Sequence, residues 1–335
     1  MTPKVPTKPD IGRVVFVTHP KHEDLAQQCV SELRDSGPKF PVHPDVLRTS
    51  PDVNDNIITI LDNLKENDAV AMVGGDGSRR RWAEAVMKLK APTQPKGVIK
   101  LASSLMLTSV RGGNGRDAGR AEHGRYHMNG PLSWIFENAV RLEAHAMAYN
   151  GALELPDGNQ SLVGGIALSY IGLGETAETT GKLISPEYLK GKPIIRDLKL
   201  GLSGFFGNTE FDLIDGGERR RLADLTFAKG HCMAKVAELN VEYEQPLILV
   251  CRTGTSRFER IEAAGRYLAG MSRQEYVESH RIRTQSPVRM HVDGDPPVPL
   301  GVGSIFEVGL APETYGILST RARIPVVDPV GEYAF

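Results

Sequence analysis

The sequence predicts a doubly wound, mainly parallel α/β domain followed by an antiparallel, β-sandwich-like domain. Three observations predict this. Up to residue 143, short apolar runs alternate with segments of helical period, the mark of a parallel sheet covered by helices on both faces. From Ala144 the texture changes to alternating runs joined by Gly, Asn and Asp turns, which are hairpin signals. Between Ala69 and Met87 a buried strand, a glycine turn and a helix follow one another without interruption. The expected domains are residues 1–143, with the tail 320–335 returning, and residues 144–319.

The elements follow in order. Val14–Val17 reads as the first buried strand, and His22–Leu33 as a helix with Leu25, Cys29, Val30 and Leu33 on one face. Phe40–His43 reads as a short strand, which Pro41 confines to an edge. Val53–Leu64 reads as a helix burying Ile57, Ile60, Leu61 and Leu64. Ala69–Val73 is the central strand, and Trp82, Ala83, Val86 and Met87 recur at helical spacing after it. Gly97–Leu101 reads as the next strand and Leu132–Glu143 as a helix. Hairpins are expected at Ala152–Leu155 with Leu162–Leu168, and at Phe211–Ile214 with Arg219–Phe227. Arg257–Leu268 and Ser272–Ser279 read as helices, Val288–Pro296 as a hairpin turn, and Thr314–Arg323 as a closing strand.

Composition narrows the function classes. A chain of 335 residues suits two domains and can bury a substantial core. Hydrophobic content of 40% and charged content of 24% are ordinary for a soluble globular protein. A formal net charge of −1 argues against general nucleic-acid binding, which wants a strong basic excess. Cys29, Cys232 and Cys251 lack metal-ligand spacing and fit reduced thiols in a cytoplasmic protein. The N-terminal segment has no apolar core of signal-peptide type, and no apolar run is long enough to span a bilayer. A lipid substrate would therefore be met from the water side, by peripheral contact.

The chemistry concentrates at Gly74-Gly75-Asp76-Gly77-Ser78. Its glycines let the backbone turn tightly and let a ligand approach with no Cβ in the way. The N–H groups opening the helix attract anions, phosphate above all. Asp76 would repel a bare phosphate, so it fits a site where Mg²⁺ intervenes or where a carboxylate takes a hydroxyl proton. The competing account is a plain surface turn. Arg79, Arg80 and Arg81 oppose the helix dipole, and either face an anionic ligand or form a solvated charge run. Arg219–Arg221 reads as a solvated run. A second glycine-rich stretch, Arg111-Gly-Gly-Asn-Gly-Arg-Asp-Ala-Gly-Arg120, reads alone as a surface loop.

These motifs resemble those of the diacylglycerol kinases and their sphingosine kinase and NAD kinase relatives. Gly74–Ser78 is similar to the Gly-Gly-Asp-Gly-Thr signature, although lipid kinases continue with an apolar residue, Asn and Glu where Arg79–Arg81 stand here. Pro20 and Lys21 match part of a phosphate-side loop after the first strand. Gly113, Asp117 and Arg120 match a Gly-Thr-x-Asn-Asp-apolar-Ala-Arg loop, from which Asn114 and Arg116 depart. Gly172, Gly174, Ala177 and Glu178 match Gly-x-Gly-Phe-Asp-Ala-Glu, with Thr176 in place of the acid. Val292-Asp293-Gly294-Asp295 is similar to a late Val-Asp-Gly-Glu motif. The resemblance implies an α/β domain and a β-sandwich with the active site in the cleft between them, and transfer of the ATP γ-phosphoryl to a hydroxyl. It implies that Gly74, Gly75, Gly77, Ser78, Gly113, Asn114, Asp117, Pro20 and Lys21 serve the nucleotide, and that Asp76 and Asp295 serve Mg²⁺. Asp293 is the expected base, with Asp295 and Glu178 in support; Arg80, Arg116 and Arg120 are expected to face the acceptor with Glu178. The leading acceptor is diacylglycerol or a related lipid, the runner-up a soluble alcohol, sugar or nucleoside. A catalytically dead nucleotide- or lipid-binding regulator is the alternative from another class. A homodimer is expected.

Overall fold

A computed structural model of the chain describes residues 7–111, 119, 122–123, 130–154, 158–183, 209–229, 247–269, 275–293 and 295–321. The described residues form two compact units. The first runs to Ala146 and resumes at Pro312; the second lies between Met147 and Ala311.

The first unit is the parallel α/β half. Strand β1 (Arg13–Thr18) leads through a 3₁₀ turn at Pro20–His22 to α1 (Glu23–Asp35), then β2 (Leu47–Arg48), α2 (Val53–Asn63) and β3 (Asp68–Val73). There follow α3 (Asp76–Leu89), α4 (Lys96–Ser104), β4 (Met106–Ser109) and α5 (Leu132–Asn138). Val14–Val17, Ala69–Val73 and Met106–Leu107 are all buried, as strands covered on both faces must be. Thr18 pairs with Val73 and Met72 with Ser109, both in parallel register, so β1, β3 and β4 end at one edge of the sheet. Open α/β sheets bind ligands outside that carboxyl edge. Beneath it, Val14, Phe16, Ala69, Ala71, Leu132 and Phe136 form the core.

The second unit is antiparallel. It holds most of β5 (Val140–Glu154), then β6 (Gln160–Ala167), β7 (Tyr170–Gly174), α6 (Glu175–Leu183), β8 (Phe211–Asp215) and β9 (Glu218–Lys229). After these come β10 (Ile248–Gly254), α7 (Arg257–Ala269), β11 (Glu275–Val277), β12 (Ser279–Thr284), β13 (Val288–Val292) and β14 (Val298–Leu300). Last is the first half of β15 (Ile305–Ser319), whose second half pairs in parallel with β4 in the first unit. The β8–β9 hairpin closes on Gly216 and Gly217 at φ 59° and 89°, the positive angles that a two-residue hairpin turn demands. Leu173, Phe211, Phe227, Ile248, Met290 and Phe306 fill the core of this unit.

Several expectations need correction. Gly97–Leu101 lies inside a helix, because Val98, Ile99, Leu101 and Ala102 recur at helical spacing behind Pro95; the strand is the buried run Met106–Ser109. The helix from Leu132 ends at Asn138, since from Val140 apolar and polar residues alternate, and that alternation is β5. The described part of Ser272–Ser279, from residue 275, is not a helix: Glu275–Val277 pairs with β10 and Ser279 opens β12; residues 272–274 lie outside the described residues. Phe40–His43 gives a single bridge, Val14 with Val42. On α2, Leu61 is exposed; the fully buried partner of Ile60 is Asn56, whose side chain bonds the backbone of Ser50 and Asp52. No helix among the described residues is long and apolar enough to cross a membrane.

Candidate active site

In the first unit, β3 delivers the chain into Gly74-Gly75, and α3 starts at Asp76. Gly75 is the N-cap residue, and no side chain of its own can cap the first turn. Asp76 lies in that turn and is partly buried, as is Gly77, while Ser78 is buried. The 3₁₀ turn after β1 is its neighbour: a Cβ built on Gly74 would meet only the His22 ring, at 3.9 Å. Within this turn the His19 Nδ1 accepts a hydrogen bond from the Lys21 N–H at 3.2 Å, and Lys21 itself is exposed. His19 is held below the usual histidine range, by partial burial first and then by the charges of Lys21, His22 and Arg81. Pro20, Lys21, Gly74–Ser78 and Arg81 are thus gathered at the carboxyl edge of β1 and β3, in a cationic setting. Thr18 Oγ1 donates to the Val73 carbonyl at 2.7 Å and locks the two strand ends together.

The three arginines do not act alike. Arg80 and Arg81 are partly exposed. Arg79 is only 1% exposed, because it falls on the buried stripe of α3 with Trp82, Ala83 and Val86. There it forms an ion pair with the fully buried Glu122. For Arg79 both sequence readings, ligand contact and solvated charge, are therefore corrected. Residues 112–118 and 120 are outside the described residues, and with them Gly113, Asn114, Arg116, Asp117 and Arg120.

The second unit carries Asp293, Asp295 and Glu178. Asp293 follows β13 at φ 47° and is 1% exposed. Its carboxylate accepts three backbone N–H bonds, from Leu168 at 2.7 Å, Ser169 at 2.9 Å and Tyr170 at 3.0 Å. This acid closes the turn between β6 and β7. Asp295 is partly exposed, and its N–H donates to the Val292 carbonyl at 2.9 Å. Glu178 pairs with Arg289 at 3.3 Å, and both line a cavity of about 250 Å³ with Phe211, Val288 and Leu300.

Other groups in this unit were not legible from the motifs. Asp224 on β9 accepts from the Thr176 N–H at 2.7 Å and from the Thr226 hydroxyl at 2.8 Å. An acid in the apolar run Leu222–Phe227 was its only signal in the sequence. Burial pushes Asp224 above the usual carboxylate range. Glu175 is pushed up to about 7, by desolvation first, against the field of Arg260, whose guanidinium lies 2.8 Å away. His291 is fully buried, and neither ring nitrogen has a hydrogen-bond partner among the described residues. Its ring meets Tyr170 edge to face at 5.0 Å, and desolvation takes it down to about 4. The described residues contain no group of three or more His, Cys, Asp or Glu able to hold a metal ion by themselves.

No protein-family model and no curated relative matches the sequence. The fold has solved counterparts. A structure described as a diacylglycerol kinase from Bacillus anthracis str. Sterne matches at TM-score 0.55 and 12% identity, covering 97% of this chain and 100% of its own. A second from the same organism, to which that kinase name is assigned rather than demonstrated, matches at TM-score 0.59 and 13% identity, over 94% of this chain and 100% of its own. Yeast NADH kinase complexed with NADH aligns over 92% of this chain and 83% of its own, at TM-score 0.48 and 15% identity. The chain has the fold of the diacylglycerol kinase-like structures.

Proposed function

We propose that the chain is a phosphotransferase moving the γ-phosphoryl group of ATP to a hydroxyl acceptor. The observation that carries this reading is the turn at Gly74-Gly75: a helix start without a side-chain cap, at the carboxyl edge of a parallel sheet, beside His19, Lys21, His22 and Arg81. In this reading the backbone of Gly74–Ser78 binds the nucleotide phosphates, and Lys21, Arg80 and Arg81 offset their charge. Mg²⁺ keeps most of its waters and needs only one or two carboxylates beside substrate phosphates, so a single half-buried Asp76 suits it. When bound, the ion supplies neutralisation of the phosphate oxygens.

The proton of the acceptor hydroxyl needs a carboxylate that can receive it. Three backbone donors already occupy Asp293, which favours a positioning role for it. Asp295, two residues on and partly exposed, is the better candidate for the base, so the sequence-based order of the two acids is reversed in this proposal. In this reading Glu178 and Arg289, which line the cavity, would orient the acceptor. Lipid alcohols are the first acceptors to test, because structures of this fold carry the diacylglycerol kinase name; soluble alcohols, sugars and nucleosides form the second arm.

The test is transfer of label from γ-labelled ATP with Mg²⁺ to each acceptor, with wild type, Asp76→Asn and Asp295→Ala. The expected result is labelled acceptor with wild type only, while Asp295→Ala retains ATP-dependent thermal stabilisation. Absence of label on every acceptor, together with no Mg²⁺-ATP shift of the melting midpoint in wild type, rejects the phosphotransferase reading.

A further inference from the structure

The inference concerns Arg79 and Glu122 and rests on the phosphotransferase reading. An arginine on the buried stripe of α3, one residue after Ser78, needs a compensating charge. Glu122 supplies it and does more. Its other oxygen, Oε2, accepts from the Ser109 N–H at 2.9 Å and from the Thr108 hydroxyl at 3.4 Å, at the end of β4. Its carbonyl accepts from the Ser319 hydroxyl at 2.8 Å and from the Thr320 N–H at 3.0 Å, at the end of β15. His123 continues the network, with Nε2 2.6 Å from Thr108 Oγ1 and Nδ1 3.3 Å from Thr320 Oγ1.

Thr108, Ser109, Glu122 and His123 flank the second glycine-rich stretch at both of its ends. Arg79 stands on the first turn of the helix that opens from the first. The network therefore ties the two ends of one glycine-rich segment to the helix start of the other, and anchors both on β15. A further bond runs along the same edge: the Gly74 N–H donates to the Arg111 carbonyl at 3.2 Å.

We infer that Arg79 and Glu122 are positioning residues for nucleotide binding: the pair fixes the Gly74–Ser78 turn against the ends of the second glycine-rich segment. It stands where the lipid-kinase pattern has an apolar residue, so the departure at position 79 is compensated rather than disabling.

A buried pair holds stability as well as geometry, and the test must separate them. Arg79→Met strands a buried carboxylate; Arg79→Met with Glu122→Gln removes both charges while the Gln oxygen keeps the Ser109 N–H paired. Melting midpoints and Mg²⁺-ATP affinities of wild type, the single variant, the double variant and Arg79→Lys are compared. We expect the double variant to regain most of the midpoint lost by Arg79→Met. Its affinity for Mg²⁺-ATP should remain roughly tenfold or more below wild type, seen in KM before kcat, because the neutral pair no longer fixes the turn. Arg79→Lys, with its charge retained but without the planar guanidinium, should also bind more weakly. A double variant that recovers both stability and affinity overturns the inference, as does a folded Arg79→Lys with wild-type affinity. If wild type itself binds no nucleotide, the phosphotransferase reading fails and this inference with it; if wild type binds and the double variant binds equally, this inference alone fails.

Discussion

Replacing Asp293 separates a turn-holding acid from a proton-accepting one. The carboxylate receives N–H bonds from Leu168, Ser169 and Tyr170, and the first two of these residues are 1% and 0% exposed. In Asp293→Ala all three donors lose their acceptor, and water cannot readily reach two of them. A buried donor left without a partner costs about 1–3 kcal/mol, so the two deep amides alone cost about 2–6 kcal/mol. The backbone adds to this: Asp293 sits at φ 47°, where alanine pays about 1–2 kcal/mol that aspartate partly avoids by local hydrogen bonding. The total is about 3–8 kcal/mol. At about 2–4 °C per kcal/mol for a unit of this size, the melting midpoint should fall by at least about 6 °C.

Asp293→Asn is gentler. Its amide oxygen can keep the Ser169 and Tyr170 donors, while its NH₂ meets the Leu168 N–H donor to donor, at a cost of about 1–3 kcal/mol. Asp295→Asn, on a partly exposed side chain, should change stability by less than about 0.5 kcal/mol. The assay is thermal unfolding of the three variants followed by circular dichroism, with turnover measured on the same samples below the lowest midpoint. Loss of turnover in Asp293→Asn would by itself say nothing about a base, because the turn that carries Asp295 is disturbed too. An Asp293→Ala protein melting within about 2 °C of wild type would refute the argument, since three lost hydrogen bonds at an unfavourable φ cannot be that cheap.

Three further outcomes are expected. His291 is neutral in the folded protein down to about pH 4 and titrates near 6.5 when unfolded, so its contribution is complete above 6.5 and is lost as pH falls toward 4, by up to about 3 kcal/mol; His291→Leu should flatten the acid limb of a stability–pH profile, and an unchanged limb would reject this. Glu122 is pushed up to about 7, by desolvation first, so its favourable contribution is complete below about 4.5 and lost as pH rises through 7; Glu122→Gln should accordingly be less destabilising at pH 8 than at pH 5 in urea titrations, and the opposite order would contradict it. Gly172→Ala would place a Cβ 2.6 Å from His291 Cε1 and 2.9 Å from Thr176 Cγ2, an overpacking cost of about 1–3 kcal/mol that His291→Ala in the same chain should relieve; additive losses would show that the ring is not the obstacle.

The parallel half was legible where one signal governed. Ala69–Val73 is apolar throughout and sits between β1 and β4, so burial and strand went together. The glycines after it left one way to continue, into a helix whose Trp82, Ala83 and Val86 repeat announces its buried face. Legibility failed where two periods compete over a few residues. Val98, Ile99 and Leu101 fit a short strand as well as a helical stripe, and only the continuation of the stripe to Ala102 favours the helix. Around Ala139 the period changes from helical to two within one residue, and the chain offers no glycine or proline to mark it. The site was half legible for a different reason. Glycine motifs are local, and a sequence displays them. The groups that hold them are distant: Glu122 lies 43 positions from Arg79, and Asp224 lies 48 from Thr176.

Those two distant acids bear on whether the motif departures mean decay. A chain drifting from function should leave an introduced charge unpaired or a lost cap unfilled, since nothing would then keep the cost of an orphaned polar group in check. Here the reverse holds at both places. Arg79 lies on a buried stripe and is matched by a buried acid that also satisfies the end of β4. The Thr176 N–H meets the carboxylate of Asp224 on β9. Structural need explains the pairing at each place taken alone. Both pairings fall on segments that begin a helix after a Gly-rich strand end, Gly74–Ser78 in one unit and Gly172–Glu178 in the other. A chain that handled phosphate through both segments would need the backbone geometry of both. A regulator that only binds nucleotide would need the first segment alone, so Thr176→Pro, which removes the N–H bonded to Asp224, bears on the choice: in an enzyme it should lower turnover with nucleotide affinity intact, whereas a binding module has no turnover to lose and should keep its affinity.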